Sequence, residues 1–66
     1  MDMLNYMNTA RSEGYDVQFT GLGMGYVTLG TVMLTEVLDA EEAEAQLALI
    51  GMAIINDDVR RMIRKG

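Results

Sequence analysis

Apolar positions along this chain change period twice, and the changes divide it into three segments. In the first, Met3, Met7 and Ala10 recur at helical spacing with Leu4 and Tyr6 beside them, so they share one helix face. Asp2 stands where an N-cap accepts first-turn amides, and Gly14 where a helix stops. The spacing predicts a helix over 3–13.

The second segment alternates. Tyr15, Val17 and Phe19 are separated by Asp16, Gln18 and Thr20, the period of a strand with one face in a core and the other in water. The run Gly-Leu-Gly-Met-Gly at 21–25 breaks this pattern, and its glycines permit the positive φ angles of a tight or bulged turn. From Tyr26 to Leu34 β-branched and aromatic residues resume, with Val27 and Leu29 expected on the core face. Gly30 is a candidate bulge, beyond which the register of 31–34 is open.

The third segment, 39–65, is a long helix. Asp39 and Glu42 have the spacing of a capping box. Glu41, Glu42 and Glu44 lie near the positive end of the helix dipole, and Arg60, Arg61, Arg64 and Lys65 near the negative end. Between them Ala45, Ala48, Met52, Ile55, Val59 and Met62 repeat at intervals of three and four, while Leu47, Ile50 and Ile54 form a second stripe. Asn56, Asp57 and Asp58 are good capping residues, so a helix ending near Ile55 with a short basic helix after it is the alternative. The unbroken spacing through 52, 55, 59 and 62 favours one continuous helix.

The order helix, strand, strand, helix (αββα) predicts a single α+β domain. Its hairpin must be covered by helices or extended by a second copy, since an isolated hairpin is marginal. A helix with two apolar stripes needs two surfaces to cover them. Either the small domain wraps both, or one stripe packs at home and the other on another chain. The second reading is preferred, as an antiparallel homodimer through Ala45, Ala48, Met52, Ile55, Val59 and Met62, in which acidic and basic helix ends lie side by side.

Composition strengthens that preference. A chain of 66 residues buries only about 60% of the surface its unfolded form exposes. It has no Cys and no His, so disulfides and an ordinary zinc site are excluded as supports, and association remains. Lack of cysteine fits a reducing cytoplasm, and no basic residue precedes the first apolar run as a secretory signal requires. The stretch 17–35 carries no charge, yet its threonines and glycines dilute it below a membrane span.

Candidate chemistry is sparse. The glycine run is not a dinucleotide fingerprint, because Tyr26 stands where the third glycine belongs, and no Lys follows to make a P-loop. Glu36, Asp39, Glu41, Glu42 and Glu44 lack the spacing and turn glycine of a calcium loop. Asp57 and Asp58, being adjacent, point to different sides of a helix. No cofactor, metal or catalytic residue is expected, and the chain reads as a non-enzyme.

The formal net charge of −5 opposes nucleic-acid binding despite the basic C-terminal run, which serves the dipole and interface pairing instead. A regulator touching nucleic acid through Arg60, Arg61, Arg64 and Lys65 is a lesser alternative. The acidic cluster can instead imitate a phosphate backbone in another protein's groove. Leu22 and Met24, apolar residues on a hairpin tip with no core to enter, are with Glu41, Glu42 and Glu44 the candidate partner contacts. The expectation is a small acidic module that homodimerises and occludes a surface of an unidentified protein. Size and composition liken it to phage or mobile-element products that block host machinery such as a defence nuclease. A structural subunit of a larger oligomer is the other reading.

Overall fold

Asp2 opens α1 (Met3–Ser12) as the sequence predicts, its Oδ1 accepting the Leu4 amide at 3.0 Å. The helix closes one residue earlier than the spacing suggests. The amides of Glu13 and Gly14 donate to the carbonyls of Ala10 and Arg11, each at 3.0 Å, and Gly14 takes φ +96°. The computed structural model describes residues 2–65, with the side chains of 2–63.

β1 (Tyr15–Gly21) and β2 (Met24–Leu29) pair antiparallel, with Val17 opposite Val27 and Phe19 opposite Gly25. Leu22 and Gly23 make the turn at φ +55° and +70°, two positive values as in the hairpin turns whose twist matches the strands. The register slips between Phe19 and Gly21, so the turn is both tight and bulged.

β2 does not run on to Leu34. Gly30, at φ +60°, turns the chain back, and β3 (Val32–Met33) pairs with β2 through Thr28–Met33 and Leu29–Val32. β4 (Leu38–Asp39) then pairs with the other end of β2, Met24 with Asp39 and Gly25 with Leu38. Between them the Leu34 amide donates to the Val27 carbonyl at 2.8 Å, and the Val27 amide donates to Thr35 Oγ1 at 3.1 Å. The stretch 32–39 thus acts as one interrupted third strand. The chain itself extends the hairpin, and β2 is central in a four-stranded antiparallel sheet.

α2 (Ala40–Lys65) passes through Asn56, Asp57 and Asp58 without a break, so the continuous helix is the one formed. At 1.5 Å per residue it is about 39 Å long, most of the molecule's long dimension; the overall extents are 48 × 26 × 16 Å. The core joins Met7, Ala10, Val17, Val27, Ala43, Leu47 and Ala48, with Tyr6, Tyr15, Leu38 and Ile50 around them. α1 crosses α2 at Gly51, where an added Cβ would overlap the Tyr6 carbonyl and lie 2.9 Å from its Cα. Only glycine lets the two backbones meet so closely.

Strand alternation is corrected at its margins. Val17 and Val27 are buried, whereas Phe19 is 58% exposed and Leu29 also reaches solvent. The helices meet the sheet over the Val17–Val27 pair, and a residue two positions along a strand is about 7 Å away, at the rim of that cover. Phe19 instead lies over Gly25, its Cδ1 3.3 Å from where a Cβ would stand.

Candidate interaction site

Two regions from distant parts of the sequence come together at one end of the molecule. The Ala40 amide donates to the Gly23 carbonyl at 2.8 Å, and Met24 pairs with Asp39 in the sheet. The hairpin tip therefore lies against the start of α2. Gly23, Asp39, Ala40 and Glu41 line an open hollow of about 420 Å³ between them. The turn that carries Leu22 and Met24 is thus brought against the helix start that carries Glu41, which the sequence could not show.

The members of this surface differ in what they offer. Leu22 is fully exposed, at 102% of its reference area, and holds the left-handed conformation that costs an L-residue other than glycine about 1–2 kcal/mol. Met24 is half-buried as the first residue of β2, so it has the cover that a bare tip would deny it. Glu41 and Glu42 are exposed in the first turn of α2, and Glu44 is half-buried. Glu42 accepts a hydrogen bond from Gln46 Nε2 at 3.2 Å. Among the described residues no group of three or more carboxylates converges as a metal site.

The outward side of α2 is the second surface. Of the two stripes read from the sequence, Leu47, Ile50 and Ile54 face the body, with Leu47 completely buried. The stripe assigned to the dimer is divided. Ala48 belongs to the core of its own chain, Ala45 and Ile55 are half-buried, and Met52, Val59 and Met62 are exposed. From Asn56 to Ile63 every residue is exposed, so this part of α2 projects beyond α1 and the sheet.

Sequence reading missed Leu49 and Ile63, which are exposed on the same side, Ile63 at 73%. The signal was present: positions 45, 49, 52, 56, 59 and 63 alternate in steps of four and three, but the polar Asn56 interrupts the apolar count. At the basic end, Arg61 Nη2 lies 2.9 Å from Asp57 Oδ2, which offsets part of the positive patch. The side chains of Arg64 and Lys65 lie outside the described residues.

A third apolar surface follows the outer strand, where Val32, Met33, Leu34 and Val37 are exposed. No helix among the described residues is long and apolar enough to cross a membrane. No protein-family model, curated protein or solved structure matches this chain.

Proposed function

We propose that this protein is a small non-enzymatic binding module, associated as a homodimer through α2, that occludes a surface of another protein. The observation that carries the reading is Leu22. A fully exposed leucine at a turn position that suits Asn or Gly contributes nothing to the core and is strained besides. Its neighbour in the turn, Gly23, lines the hollow with Asp39 and Glu41 at the positive end of a helix.

An apolar knob flanked by carboxylates fits an apolar socket rimmed by Arg or Lys. Such rims are typical of proteins that grip nucleic acid, which keeps host nucleases and their phage or mobile-element antagonists as the favoured setting. Capture from a native cell lysate with the intact chain and with Leu22→Asp tests this. The intact chain should retain a stoichiometric partner and the variant should lose it at least tenfold while keeping its circular dichroism spectrum. Equal recovery would overturn the proposed contact.

The exposed strip at 32–37 favours a second reading, a subunit of a larger assembly. Growth beyond a dimer with concentration, abolished by Val32→Ser with Leu34→Ser, would select it.

A further inference from the structure

We infer that the second copy seats on the seam Ala45, Leu49, Met52, Asn56, Val59 and Ile63 as an antiparallel coiled-coil pair whose two-fold axis passes near residue 54, with Asn56 setting its register. The inference rests on the reading of this protein as a self-associating binding module and specifies the partner and its alignment. At 100° per residue the six positions occupy a sector of about 80°, nearly opposite Ala43, Leu47, Gly51 and Ile54. Five of the six are exposed and Ala45 is half-buried, so the seam is the side of α2 that its own domain leaves most open. Its polar member, Asn56, is exposed among apolar neighbours three and four residues away.

Three observations choose the occupant and its direction. The molecule presents one outward face over its body, at Ala45, Leu49 and Met52, and one bare projection, at Val59 and Ile63. An antiparallel copy lays each projection on the other's supported face, whereas a parallel copy pairs projection with projection. The spacing is also symmetric: Ala45 meets Ile63 of the second copy, Leu49 meets Val59, and Met52 meets Asn56, all in one register. Charge agrees. In this register Glu44 comes level with Arg64 of the second copy and Glu42 lies one residue past its Lys65, and the helix dipoles oppose.

Asn56 has a defined task in this arrangement. A single polar residue in an apolar seam lowers stability but restricts register and oligomer number, because a shifted alignment buries its amide against different partners. Leu49 and Ile63, one heptad to either side, supply apolar contact on the same line.

The test uses the full chain. Sedimentation should give a dimer at tens of micromolar, and Leu49→Ser with Val59→Ser should give a monomer that still unfolds cooperatively, since both side chains are exposed in the isolated fold. Asn56→Leu should tighten association at least tenfold and add species larger than a dimer. Direction is read by mixing chains carrying Ala45→Cys with chains carrying Ile63→Cys, a clean probe because the native sequence has no cysteine. The antiparallel pair forms the mixed disulfide only, as like positions sit about 27 Å apart. Disulfides between like chains, or a strict monomer at 100 micromolar, would overturn the inference. A monomer that still loses a captured partner on Leu22→Asp would overturn the seam and leave the hairpin-tip contact standing.

Discussion

The two halves of α2 share one unbroken backbone and differ in what lies against them. Between Ala43 and Ile54 the helix meets α1 and the sheet; Leu47 is fully buried and Gly51 admits the backbone of α1. From Asn56 to Ile63 no residue is covered. The hairpin repeats the contrast, with Val17 and Val27 buried at its middle and Leu22 bare at its tip. A core this small covers only the centre of each long element. Apolar residues beyond that centre do nothing for the fold of the single chain, and an extended helix end without cover is marginal in water. They are the residues available for association.

Leu47→Ala should break the contrast most. Losing a completely buried leucine costs about 2–5 kcal/mol, a large part of the roughly 3–10 kcal/mol that a domain of this length possesses. Urea unfolding should show a variant close to its midpoint without denaturant; an unchanged midpoint would mean that the packing of α2 is misassigned. Gly51→Ala comes next and is informative by its sign. Helix propensity alone favours alanine by about 1 kcal/mol, whereas overlap with the Tyr6 carbonyl costs about 1–3 kcal/mol. Net destabilisation is expected, and a gain in stability would show that α1 does not cross there.

The tip should respond in the opposite sense. Leu22→Asn relieves the left-handed leucine and should raise stability by about 0.5–1 kcal/mol in thermal unfolding while weakening partner capture. Stability and binding falling together would tie Leu22 to the core instead. The smallest effect belongs to the projecting half of α2. Val59→Ser, measured by urea unfolding at sub-micromolar concentration where self-association is suppressed, should shift stability by less than about 0.5 kcal/mol.

Much of this fold was readable from local pattern, because caps, turns and periodicity are decided by neighbours in sequence. Asp2 and Gly14 bounded α1, the alternation from Tyr15 placed β1, and the glycine run placed a bulged turn. The unbroken α2 followed from spacing that outweighed three capping residues. Gly30 was noticed, but a bulge and a reversal both use positive φ. Only pairing along β2, with Thr35 filling a gap in the ladder, distinguished them.

What the sequence could not decide was which of two equivalent apolar stripes would be spent on the core. Periodicity gives each stripe the same claim; the core took Leu47 from one and Ala48 from the other, on either side of Gly51, where a second backbone can approach. The same holds for the union of the hairpin turn, at Gly23, with Asp39 and Glu41. A hydrogen bond from Ala40 to Gly23 joins segments that local propensity treats separately, so the surface they make exists only once the chain has closed on itself.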